Sequence, residues 1–102
     1  MQDAIDNAVT AAEETYENAR QSPFDHGVAM VVGLDGRTSL AHACKEHARI
    51  DVSNDSYHGT TVTIDGMSRY LNPQAQAYKA FIDTLLQHDI DVQNMRVWTH
   101  QD

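Results

Sequence analysis

Cysteine occurs once in this chain, at Cys44, and a lone thiol cannot close an internal disulfide. The fold must therefore be held by its core, and the compartment expected is a reducing cytoplasm. Long hydrophobic runs are missing as well: no stretch approaches the ~20 apolar residues that a bilayer span needs, so no membrane association is expected. Positive charge is scarce, with 7 Lys and Arg against 15 Asp and Glu and a net charge of −8. That balance repels phosphate backbones and anionic lipid, which argues against direct nucleic-acid binding. The acids are scattered, so solubility is their main reading. An acidic inhibitor that occupies the groove of a nucleic-acid-binding protein is the lesser alternative. Near the N-terminus Asp3, Asp6, Glu13, Glu14 and Glu17 stand where a secretory leader carries basic and apolar regions, and this too points to the cytoplasm.

Proline and glycine are sparse, so their positions are informative. From Val28 to Leu34 every residue is apolar or glycine. A strand with one wet face alternates, so this one is expected to be central and covered on both sides. Gly33 and Gly36 then allow a sharp turn, and Thr38 or Ser39 can cap a following helix. In that helix Leu40, Ala43, Cys44, His47 and Ala48 form one stripe at helical period. Alternation resumes at Ile50-Asp51-Val52.

Around this centre the remaining elements take their places. Ile5, Ala8, Val9, Ala12, Tyr16 and Ala19 define a narrow, alanine-rich helical stripe over about 3–21, ended by Ser22-Pro23. The SNDSYHG cluster after Val52 reads as a loop or bulged strand end. Thr60, Val62 and Ile64 alternate as a half-buried strand. Asp65-Gly66 either turns a hairpin into 67–71 or ends the strand, with 67–71 as a loop; the second is preferred. Asn72-Pro73 reads as a helix start, with Asn72 the cap. Ala75, Tyr78, Phe81, Ile82, Leu85 and Leu86 then form a broad apolar stripe, and 95–99 closes the chain as a strand. The order predicts a single α+β domain over 1–102: a ferredoxin-like βαββαβ antiparallel sheet over about 27–100, with an additional N-terminal helix. That helix is expected to cover the second face of the sheet, alone or with a second subunit.

Chemistry-bearing motifs are few. The GLDGRTS turn sits between strand and helix, where phosphates bind, yet it lacks the Gly-Lys-Ser/Thr and G-x-G-x-x-G patterns. Its main reading is a tight turn with a helix cap; as a ligand site it would use Gly36, Arg37, Thr38 and Ser39. The His42–Cys44–His47 run looks metal-like. Cys44 and His47 share a helix face and are the metal candidates, whereas His42 lies ~200° round from Cys44. Both candidates fall on the core-facing stripe, where a small thiol and a bonded imidazole are ordinary. No carboxylate pair stands at catalytic spacing, and Asp51, Asp55 and Asp65 read as solvated loop acids. Trp98 and Tyr70 are candidates for an interface or a pocket rim, although a lone aromatic usually completes a core.

Asp35-Gly36 and the CKEHARIDV segment make the strand–helix opening similar to that of ACT-type regulatory domains, without the proline that usually precedes the glycine. The resemblance implies a ferredoxin-like fold, a small effector near the first strand–helix loop and side-by-side association. The functional expectation is a non-catalytic domain without cofactors that self-associates as a homodimer and binds a protein partner or small effector. A metal-binding or redox protein using Cys44 and His47 is the alternative.

Overall fold

A computed structural model describes residues 1–102. Seven elements follow one another: helix α1 (Gln2–Asn18), strand β1 (Gly27–Leu34), helix α2 (Ser39–Glu46), strands β2 (Ile50–Asp55) and β3 (Gly59–Ile64), helix α3 (Leu71–Gln87) and strand β4 (Arg96–Gln101). The class is α+β, with one four-stranded antiparallel sheet and three helices. Strand order is β2-β3-β1-β4, so the apolar run is interior and β2 and β4 are the edges.

Each boundary has a local cause. Thr38 caps α2 by accepting from the Ala41 N–H through Oγ1 at 3.2 Å. The stripe of α2 stops early: the helix ends at Glu46, His47 is half-buried and Ala48 is exposed. At the start of α3 the cap is not Asn72. The helix begins two residues earlier, at Leu71 with Tyr70 as its cap, and Asp25 satisfies its first donors from outside, its carbonyl accepting from Leu71 N–H at 2.9 Å and its Oδ2 from Asn72 N–H at 2.8 Å. The polar SNDSYHG cluster is half strand, because β2 pairs with β3 as far as Asp55↔Gly59. Asp55 Oδ1 closes the hairpin by accepting from the N–H groups of Tyr57 and His58 at 2.6 and 2.7 Å. Residues 67–70 form a loop, bridged to the start of β1 at His26↔Tyr70, and Leu71 already belongs to α3.

Gly33 marks an irregularity that re-aims β1. Register with β3 runs from Val31↔Val62 to Leu34↔Thr60, one residue more on β1 than on β3. Gly33 takes φ +86°, and a Cβ there would sit 1.8 Å from the Asn94 carbonyl oxygen, so no other residue fits. The extra residue lets both Val31 and Leu34 face the helices, with exposures of 0% and 6%.

Toward its N-terminal end β1 parts from β3. Continuing the register would pair Ala29 with Ile64, but two side chains of α3 take their places. Gln74 Oε1 accepts from Ala29 N–H at 3.0 Å, while its Nε2 donates to the Gly27 carbonyl at 3.0 Å. Tyr78, one helical turn on, accepts from Ile64 N–H at 3.0 Å. Both side chains are buried, so the separated backbone groups stay satisfied away from water.

The N-terminal helix does not cover the second face of the sheet. Its buried residues Ile5, Ala8, Val9 and Ala12 join the cluster of Val31, Val62, Tyr78, Phe81 and Leu85 on the helical side. It runs antiparallel to α3: Asn7 meets His88 at 3.2 Å, and Tyr16 donates to the Ser68 carbonyl at 2.7 Å. Alanines on its stripe permit that close approach. With all three helices on one side, the other face of the sheet carries none, and Val28 on β1 is 49% exposed. No helix is long and apolar enough to cross a membrane.

Candidate functional site

The turn after β1 is an internally bonded cap. Asp35 Oδ1 accepts from the Arg37 N–H at 3.0 Å and from its Nε at 3.2 Å. Those bonds, the side-chain one foremost, hold the Asp35 carboxyl below its ordinary range and raise the guanidinium. Thr38 and Ser39 line a cavity of about 400 Å³ closed by the 89–95 loop; Gly36 and Arg37 do not line it. Gly36 is pressed instead against Thr60, whose Oγ1 would lie 2.8 Å from an added Cβ. The four residues of the sequence motif are thus divided between a turn and a cavity wall.

Cys44 and His47 face different neighbours. Cys44 is fully buried, and desolvation pushes its thiol up to about 11. His47 caps the end of α2: its Nδ1 accepts from Arg49 N–H at 3.1 Å and its Nε2 lies 3.0 Å from Asp6 Oδ1. Both ring nitrogens therefore tie α2 to its surroundings, and Arg49 adds a 2.8 Å ion pair to Glu13 of α1. His42 is exposed on the opposite side of α2. No group of three or more His, Cys, Asp and Glu side chains is placed to hold a metal ion.

The helix-free face of the sheet carries a chain of four ring side chains, Tyr57, His58, Trp98 and His100. By alternation Val28, Met30 and Val32 of β1, Thr61 and Thr63 of β3, and Arg96, Trp98 and His100 of β4 share it. From the β2–β3 hairpin His58 reaches back to Trp98, ring centroids 4.7 Å apart, and Tyr57 stands edge-on to His58 at 4.7 Å. On the far side of Trp98 the His100 ring stacks at 6.0 Å and 6°. The reach of His58 to β4 passes over β1, which accounts for Val32 being 1% exposed on a face without helices. Met30, paired with Trp98, and Val28 remain uncovered in part.

Where β1 and β3 separate, a cleft of about 450 Å³ opens on the same face, floored by Gln74 and Tyr78 and edged by Asp51, Thr63 and Arg69. The Tyr78 hydroxyl accepts one bond and donates to no protein group. Burial raises its phenol, so it stays a neutral donor at physiological pH. Arg69 at the rim adopts φ 76°, and its carbonyl accepts from Gly27 N–H at 3.1 Å.

Of the residues singled out in the sequence, Trp98 lies on the open face, and Tyr70 packs edge-on to His26 at 5.8 Å beside the start of α3. Asp51 lines the cleft, and Asp55 serves the hairpin, its carboxyl lowered by the backbone bonds from His58 and Tyr57. Sequence reasoning did not single out Gln74, Tyr57 or the pairing of His58 with Trp98. Asp55 two residues before Tyr57 is the one local signal available, that of an Asx turn. Comparisons with protein-family models, with curated proteins and with solved structures find no match.

Proposed function

We propose that this protein is a non-catalytic association module, and that it pairs with a second copy of itself through the helix-free face of its sheet. The observation that carries the reading is the partly bare apolar centre of that face, where Val28, Met30 and Trp98 lie on an interior and an edge strand with no helix above them. Face-to-face sheets pack ~10 Å apart with side chains interdigitated, and a second copy offers a surface of matching size and twist. Charge supports the same choice. On β1, β3 and β4 this face holds Arg96 and His100 and no carboxylate; the nearest acids, Asp51 and Asp55, stand on the β2 edge. Two chains of net charge −8 thus meet along their least acidic side.

The same proposal reads β1–α2–β2–β3–α3–β4 as a ferredoxin-like plait carrying α1 as an addition within its helical layer. Support comes from the β2-β3-β1-β4 order and the two helical crossovers. Its departure from a regular plait is the Gln74–Tyr78 insertion between the two central strands.

Trp98 is the only tryptophan, so its fluorescence reports this face alone. On dilution from millimolar to nanomolar concentration the emission is expected to shift red, saturably, as the face becomes wet. Emission that stays constant over that range, together with a monomeric mass by light scattering, would dismiss the reading.

A further inference from the structure

The two edges of the sheet are built differently. β2 carries Asp51 and Asp55 along its length and runs directly into a hairpin. β4 runs from Arg96 to Gln101 in an unbroken ladder with β1, without proline, lysine or bulge, and no element lies along its outer side. Proteins normally blunt such an edge, because its unpaired backbone groups are a template for another strand.

Which groups are unpaired follows from β1. Ala29 N–H and Gly27 C=O point toward β3, where Gln74 receives them. The alternate residues Val28, Met30 and Val32 therefore turn theirs toward β4 and bond with their partners His100, Trp98 and Arg96. Val97, Thr99 and Gln101 are left with N–H and C=O groups directed out of the sheet edge. The side chains of these three residues fall on the helical side. There a groove of about 440 Å³ runs between β4 and α3, lined by Ala75, Ile82, Val97 and Thr99, with Lys79, Asp83 and Arg96 at its margins.

We propose that the β4 edge is a peptide-docking site: it takes an extended segment of another protein as a fifth strand, with branched apolar side chains lowered into the α3–β4 groove and acidic residues between them. In such an addition main-chain bonds supply affinity and the pocket under alternate side chains supplies selectivity. Residues opposite Val97 and Thr99 point into the groove, whose apolar walls suit isoleucine or leucine. Lys79 is already paired with Asp83, while Arg96 forms no ion pair and faces the strand's other side, so an acidic residue there meets an unspent positive charge. A second copy is the poorer occupant. Antiparallel self-pairing about Thr99 would place the partner's own Thr99 and Gln101 over the groove, and both are polar. The site differs from the self-association surface in using the backbone edge and the helical-side groove; Arg96 alone belongs to both.

The test uses the whole chain and a labelled peptide of about nine residues in which isoleucine alternates with glutamate. Saturable binding is expected, with amide resonance shifts and slowed hydrogen exchange centred on Val97, Thr99 and Gln101. Thr99→Pro removes an N–H that only the peptide would use, since an outward-facing edge position tolerates proline; it should weaken binding at least about tenfold. Ala75→Arg, which fills the groove from α3, should weaken binding comparably, and a peptide with lysine in place of glutamate should bind at least about tenfold less tightly. Met30→Asp, on the sheet face, should bind as the unchanged protein does, which separates failure here from failure of the self-association reading. Absence of saturable binding, or an affinity in Thr99→Pro and Ala75→Arg equal to that of the unchanged protein, would overturn the proposal. So would a fall in solution mass caused by Thr99→Pro without a loss of peptide affinity, because it would assign the edge to a second copy.

Discussion

The side chain of Gln74 stands where a neighbouring strand would stand beside Ala29. Its Oε1 accepts from the Ala29 N–H and its Nε2 donates to the Gly27 carbonyl, both at 3.0 Å, and the residue is 2% exposed. A primary amide is the one side-chain group that offers a donor and an acceptor with the geometry of a peptide unit. Gln74 thus lets the central strands part without leaving buried backbone groups unpaired.

Replacing Gln74 with leucine keeps the approximate size and removes these two bonds together with a third, from Nε2 to the Tyr70 carbonyl at 3.2 Å. The Ala29 N–H and the Gly27 carbonyl then lose their buried partners at ~1–3 kcal/mol each, so Gln74→Leu should cost about 2–6 kcal/mol in urea unfolding. A loss within ~0.5 kcal/mol, the ordinary range for a surface substitution, would mean that water replaces the amide.

The broad stripe of α3 anchors the core. Phe81 is fully buried, and Phe81→Ala should cost about 3–5 kcal/mol through lost burial and the cavity left behind. Leu86 on the same helix is 58% exposed, and Leu86→Ala should stay within ~0.5 kcal/mol. Denaturant melts that rank the two in the opposite order would show that α3 is rotated.

Cys44 links stability to alkaline pH. Burial raises its folded-state value from 9.0 to about 11, so between those limits the unfolded chain has lost a proton that the folded chain keeps. Stability is therefore fully present below about pH 9 and falls as pH rises through about 11. The raised phenol of Tyr78 acts in the same direction. Comparing melts of the unchanged protein and Cys44→Ala across this window should give the shallower slope for the variant. The thiol of the folded protein should also react with an aromatic disulfide only as fast as the chain opens; rapid labelling at neutral pH would contradict its burial.

The parts of this fold legible in the sequence are those written in local periodicity. The run 28–34 announces an interior strand because neither parity is polar, but the cover expected on both its faces is present in full on one only, Val28 being 49% exposed, and the Phe81 stripe announces its buried face. Cys44 lies in the core as its stripe predicts. The rest depends on long-range partners that no local pattern encodes. The Ile5, Ala8, Val9 and Ala12 stripe says that one side of α1 is buried, but alanine suits packing on a sheet or on α3 equally well, so the choice of face was not legible. Asn72 looked like a cap because the competing Asp25 is 47 positions away. Gln74 is a polar residue inside a buried helix face, and its meaning appears only when the N–H of Ala29 is found beside it. At the candidate site, Trp98 could be named as a rim residue, but His58 lies forty positions earlier in what reads as a polar loop.

Sedimentation equilibrium on the unchanged protein and on Met30→Asp tests the central claim most directly. Met30 lies on the open face opposite Trp98, where a carboxylate would be desolvated and unpaired between two copies. Pairing through this face gives a mass of about twice 11.4 kDa for the unchanged chain at high micromolar concentration and leaves 11.4 kDa for the variant. A mass of 11.4 kDa for both, or an undiminished dimer in Met30→Asp, would contradict it.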